Sequence, residues 1–136
     1  MTRPDPPPDA LPDWTLDAVD AEKMKVLALL LGDPNPIHFD PAEARRLGVA
    51  DAPVNQGPST MAMLANCVLA AYPGGRLTRL RVRLRGVVVA GQAVRVHGSV
   101  VERVAEPDGQ RLRCSLTLDA DGRPALEGDA EVLVPH

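Results

Sequence analysis

Aromatic residues are nearly absent: Trp14, Phe39 and Tyr72 are the whole supply, 2% of 136 residues. A surface of stacked rings for nucleic acid is thereby excluded, and the core has to be aliphatic. Cysteine is scarce as well. Cys67 and Cys114 each fall in an apolar stretch and neither stands in a CxxC or Cys/His spacing, so both are expected in the core, with no disulfide framework and no structural zinc. No uncharged apolar run approaches the length of a bilayer-crossing helix, and Met1 to Pro12 lacks the apolar centre of a secretion signal. The expectation is a cytoplasmic protein with no membrane partner. Nor is there an excess of positive charge: 15 Lys+Arg against 18 Asp+Glu give a net −3, which argues against a general polyanion binder.

What is present fits one small globular domain, with 45% hydrophobic and 24% charged residues. Residues 1–12, with Pro4, Pro6, Pro7, Pro8 and Pro12, cannot sustain a helix or a ladder and read as a disordered tail before a domain at 13–136. Charge is unevenly spread. Between residues 76 and 113 nine arginines face only Glu102, Glu106 and Asp108. The row Arg79, Arg81, Arg83, Arg85 reads either as a solvated strand face or as a seat for phosphates or an acidic partner.

A first helix is expected over 19–31, capped by Asp17 or Asp20 and stopped by Gly32. The next segment, Gly32-Asp33-Pro34-Asn35-Pro36-Ile37-His38-Phe39-Asp40, holds two prolines and reads as a rigid loop. Asp40 and Pro41 then open a short helix over 42–47 that Gly48 ends. After Asn55-Gln56-Gly57 a long helix runs from Pro58 to about Tyr72. From Met61 onward its only polar side chain is Asn66, so burial on nearly every face is expected. At about 22 Å it is too short to span a bilayer.

Something has to wrap that helix, and the second half of the chain supplies it. Leu80, Val82 and Leu84 alternate with arginines; Val94, Val96 and Val100 with Arg95, His97 and Ser99; Leu112, Cys114, Leu116 and Leu118 with Arg113, Ser115 and Thr117. His97 is expected exposed beside Arg95. Turn signals fall between the strands at Glu106-Pro107-Asp108-Gly109 and Asp121-Gly122. The fold class is α+β: a long central helix wrapped by a curved antiparallel sheet of about five strands, the arrangement called a hot dog.

The segment Asp33-Pro34-Asn35-Pro36-Ile37-His38, followed by Asp40 and a short helix, then Gln56-Gly57 and a long helix, then Arg83 to Gly91 opening a hairpin, resembles the MaoC-like, R-specific enoyl-CoA hydratases and dehydratases. The resemblance covers about residues 14–134. It implies a homodimer whose sheets join, and reversible addition of water to trans-2-enoyl thioesters of coenzyme A or acyl carrier protein, with no metal or redox cofactor. It also implies that Asp33, His38 and Asn35 form the catalytic loop, that the Gly57 backbone N–H is the oxyanion donor, and that Gln56, Ser59 and Ala62 border the substrate. Three positions depart from the family pattern: Gln56 stands where a His is usual, Pro58 where a Met is common, and Ala62 where a Ser is often found.

The residue chemistry suits that reaction. Water addition at C3 needs a base for the water proton, an acid for C2, and donors for the thioester oxygen. Asp33 and His38 on a loop stiffened by Pro34 and Pro36 supply a carboxylate and an imidazole that can hold one water, His38 as base and Asp33 as donor to C2, or the reverse. Gly57 offers an N–H at the positive end of a helix with no Cβ in the way. Other readings of the same residues stay open: a loop-capping Asp beside a surface His, a metal cluster of Asp33, His38, Asp40 and Glu43, a hot-dog thioesterase, or a noncatalytic acyl-thioester-binding subunit.

Overall fold

The computed structural model describes residues 9–136. Strand β1 (Trp14–Leu16) leads into helix α1 (Ala21–Leu31), a 3-10 turn at Pro36–His38, helix α2 (Pro41–Arg46) and helix α3 (Gly57–Ala71). Four strands follow: β2 (Arg76–Leu84), β3 (Val94–Glu106), β4 (Gly109–Ala120) and β5 (Arg123–Pro135). They form one five-stranded sheet in the order β1-β3-β4-β5-β2, every neighbouring pair antiparallel. This is the hot-dog architecture.

The alternation of apolar residues sets the inner face. Val94, Val96 and Val100 of β3, Leu112, Cys114, Leu116 and Leu118 of β4, and Leu126, Ala130 and Val132 of β5 are buried in one cluster with Met63, Leu64, Cys67 and Val68 of α3. Gly128 lets the helix sit close: a Cβ there would lie 3.1 Å from Leu64 Cδ1 and 2.8 Å from the Arg81 carbonyl. The β4–β5 turn is Asp121-Gly122, with φ of 48° and 78°, the left-handed pair that a tight hairpin requires.

Helix α3 is covered from one side only. Pro58, Ala62, Asn66, Leu69 and Ala70 remain exposed, so the expected burial on nearly every face is not reached within a single chain. The sheet of the chain covers one side of the helix, and these residues form the stripe left uncovered among the described residues.

Two further expectations change. Asp9 to Pro12, assigned to the tail on composition, run along the sheet edge: Ala10 bridges Ser99, the Val100 N–H donates to the Asp9 carbonyl at 2.8 Å, and Leu11 is buried. Proline has no N–H to lose at an edge, and so does not prevent this. Residues 1–8 of that tail lie outside the described residues. Helix α1 begins two residues later than expected, because Asp20 rather than Asp17 caps it, accepting from the Glu22 N–H at 2.8 Å.

The charged outer face is solvated. Arg79 and Arg81 lie opposite Glu131 and Asp129 in the ladder, and Arg85 is paired with Glu127 at 2.9 Å. His97 is half-buried rather than exposed, held by Asp119 at 3.0 Å. Among the described residues no helix is long and apolar enough to cross a membrane.

Candidate active site

Helix α1 ends in a way that sets Asp33. Gly32 takes a left-handed φ of 62°, and the Asp33 N–H then turns back to the Ala28 carbonyl at 2.9 Å. The Asp33 carboxylate is pinned through one oxygen, Oδ1, which accepts from the Asn35 N–H at 3.2 Å. Asn35 Oδ1 in turn accepts from Ile37 N–H at 3.2 Å, capping the 3-10 turn that begins at Pro36. The two prolines thus do not keep the segment wholly extended: Pro36 occupies the first position of a turn, where its missing N–H is not needed. Asn35 shapes this loop through its own side chain and backbone.

That turn aims His38 inward. Its ring is buried, and Nε2 lies 3.0 Å from Asp33 Oδ2. On the other side Nδ1 lies 2.7 Å from the Val54 carbonyl oxygen. A carbonyl only accepts, so Nδ1 carries the hydrogen and donates it. Nε2 is left facing Asp33 Oδ2 at 3.0 Å, within hydrogen-bond reach. The contact joins a carboxyl group and an imidazole, open to solvent on the Asp33 side.

Val54 is itself fixed. Its N–H donates to Ile37 O at 2.8 Å and it bridges Val89, while the Asn55 N–H donates to Val88 O at 2.7 Å. The segment before α3 is therefore tied both to the His38 turn and to the β2–β3 connection. Three residues after Val54, Gly57 opens α3, and its N–H takes part in no hydrogen bond among the described residues. Ser59, in the first turn, is half-buried, and Ala62, one turn on, is exposed. Gln56 is fully buried and turned toward α1, its Nε2 donating to Met24 O at 2.8 Å and its Oε1 without a partner among the described residues.

Asp40 and Glu43 are engaged elsewhere. Asp40 caps α2 through the Ala42 N–H at 2.9 Å, and Glu43 takes both nitrogens of the Arg46 fork at 2.8 and 2.7 Å. The Arg46 hydrogen bonds hold the Glu43 carboxyl below its ordinary value. Among the described residues no three His, Cys, Asp or Glu side chains gather as a metal site. A groove of about 560 Å³ opens beside Asp33, walled by Ala28, Leu29, Pro34 and Phe39 with Lys25 at its rim. A larger depression of about 660 Å³ lies over β2, β4 and β5, lined by Arg81 and Arg83 of the arginine row and by none of the residues around Asp33 and His38.

Sequence reasoning missed three participants: the Val54 carbonyl, Asn55 and Thr60. A backbone acceptor has no sequence signal. Thr60 had one, as a hydroxyl inside the first turn of an otherwise apolar helix.

The family model for the MaoC like domain matches residues 2–115. The chain belongs to this family. Two curated relatives carry the same likeness: the peroxisomal multifunctional enzyme type 2 of Drosophila melanogaster, 33% identical over 94 residues, and the peroxisomal hydratase-dehydrogenase-epimerase of Neurospora crassa, 30% identical over 127 residues. These cover 67% and 93% of this chain, which spans only 16% and 13% of the length of those relatives. Among solved structures, an unliganded R-hydratase from Pseudomonas aeruginosa superposes with a TM-score of 0.78 at 22% identity, over 92% of this chain and 79% of that one. This MaoC-like chain therefore shares its hot-dog fold with an R-hydratase.

Proposed function

We propose that the chain catalyses the reversible, (R)-specific addition of water to trans-2-enoyl thioesters carried on coenzyme A or acyl carrier protein. The observation that carries this reading is the Asp33–His38 contact at 3.0 Å, which brings a carboxyl group and an imidazole within hydrogen-bond reach of each other. Membership of the MaoC-like family and the likeness to an R-hydratase support it.

Hydration needs one proton removed from water and one delivered to C2. With His38 neutral and Asp33 protonated, Nε2 takes a water proton as the water oxygen bonds to C3. The C2–C3 π electrons shift toward C2 and the thioester carbonyl, and the Asp33 proton then goes to C2. The pair ends as imidazolium and carboxylate, still with one proton between them, and transfer from Nε2 to Oδ2 resets it. With the roles exchanged the cycle closes equally well. Both groups work from one place, so the hydroxyl and the C2 proton arrive on the same face of the double bond. In this reading the Gly57 N–H, at the positive end of α3, meets the enolate oxygen. Asn35 is a positioning residue through Asp33 Oδ1 and the Ile37 N–H.

The test is a panel of trans-2-enoyl-CoA esters of increasing length, run in D2O and followed by loss of enoyl absorbance and by chiral analysis. The expected product is the (R)-3-hydroxyacyl thioester with deuterium at C2 syn to the hydroxyl. Release of free thiol without hydration would indicate a thioesterase. No reaction with any ester would indicate a noncatalytic subunit.

A further inference from the structure

Behind Gly57 lies a buried polar cluster that the reaction above does not use. Asn55, Gln56 and Thr60 have 5%, 0% and 3% of their surface exposed. Asn55 Nδ2 donates to Thr60 Oγ1 at 2.9 Å. The Thr60 hydroxyl, having accepted there, turns its own hydrogen to the Gln56 carbonyl at 3.2 Å. That same carbonyl accepts the Thr60 backbone N–H at 3.0 Å. One oxygen thus receives two donors from one residue.

The carbonyl of Gln56 and the N–H of Gly57 belong to a single trans peptide unit, and they point in opposite directions along it. Anchoring the oxygen at two points fixes the direction of the N–H. It also polarises the unit: electron density drawn to a doubly bonded carbonyl leaves the amide nitrogen more positive and its hydrogen a stronger donor, most so where water is excluded. We infer that Thr60, held by Asn55, is the positioning residue that aims and strengthens the Gly57 N–H. The inference rests on the oxyanion role proposed for that N–H, and it gives this chain a support that does not depend on its Gln56 side chain, which is turned away to Met24.

The hydroxyl is an addition to ordinary helix geometry. A helix of this kind needs only the Thr60 N–H on the Gln56 carbonyl, and any residue at 60 supplies it. A Val at this position keeps the volume and the backbone bond, and removes the second donor together with the acceptor used by Asn55 Nδ2, which Thr60→Ser keeps.

The experiment compares wild type, Thr60→Val and Thr60→Ser by turnover on an enoyl-CoA ester that the wild type hydrates, by thermal melting, and by the amide 15N resonance of Gly57. In Thr60→Val, kcat is expected to fall about tenfold with KM little changed, since a weakened oxyanion donor acts on the transition state more than on the bound ester. The Gly57 amide nitrogen is expected to shift upfield. Thr60→Ser restores both. A Thr60→Val protein that melts lower yet turns over normally per folded molecule, with the Gly57 resonance unmoved, would overturn the inference and leave Thr60 a packing residue. A wild type inactive on every ester would instead overturn the reaction, while the Gly57 resonance still reports the coupling. An unmoved resonance overturns that coupling whatever the activity.

Discussion

His38 and Val54 are sixteen residues apart in sequence, yet the imidazole Nδ1 donates to the Val54 carbonyl at 2.7 Å. A backbone oxygen only accepts, so this contact favours the tautomer with the hydrogen on Nδ1 and leaves Nε2 facing Asp33. The same Val54 precedes the helix whose first N–H is the proposed oxyanion donor. The loop of Asp33 and His38 and the terminus of α3 are thereby tied into one frame, and in the proposed reaction this limits the reorganisation needed during proton transfer.

Gly57 separates a chemical role from a conformational one. Its φ is not left-handed, and a Cβ built on it would meet nothing within 4 Å. Gly57→Ala is therefore expected to fold normally, with a melting temperature equal to or slightly above wild type. Turnover on an enoyl thioester should nevertheless fall, by up to about 10²–10³-fold if the methyl forces the thioester oxygen off the N–H. Differential scanning calorimetry with kinetics on the same sample checks this, and a stable Gly57→Ala protein with full turnover would remove the oxyanion role.

Assembly is the second prediction. Leu29, Leu30 and Val26 of α1 are 83%, 75% and 55% exposed, and the sheet ends at β2 with an unpaired edge. Apolar surface of this kind is usually covered. Sedimentation at micromolar concentration should show a dimer, and Leu29→Glu combined with Leu30→Glu should weaken it by about tenfold or more. A fully active monomer would remove the dimer from the account.

Much of this arrangement is legible in the chain. Alternating strands, the Asp121-Gly122 turn, and the Asp40-Pro41 start of α2 each follow from a local rule that the fold does not override. The Asp33/His38 motif is equally local, with its two prolines and Asn35 marking a built loop. What stayed hidden depends on distant partners. Nothing near His38 announces that the Val54 carbonyl will accept a hydrogen bond from its ring, nor that Asp9 to Pro12 will find an edge of β3. The exposed stripe of α3 was also hidden, because composition records how apolar a helix is and not how far one sheet can reach around it.

Cys114 and Cys67 give a pH-dependent test of the core. Burial pushes the Cys114 thiol up to about 11, and burial likewise raises Cys67. Because the folded state disfavours the thiolate, their contribution to stability is complete below the ordinary thiol range near 8.5 and is lost as pH rises toward 11. Thermal melts between pH 8 and pH 11 should fall more steeply for wild type than for Cys114→Ala, and iodoacetamide at pH 8 should label neither thiol until urea unfolds the chain. Native labelling at the rate of a free cysteine would contradict this.

The central claim is that Asp33 and His38 are one acid-base unit for water addition, and it is tested most directly by the turnover of Asp33→Asn, His38→Ala and the double variant on an enoyl-CoA ester that the wild type hydrates. Each single change should lower kcat by about 10²–10⁴-fold with the fold intact by circular dichroism. The double variant should lose far less than the product of the two, since the two groups serve one coupled proton transfer. Near-native turnover in either folded single variant would contradict the account.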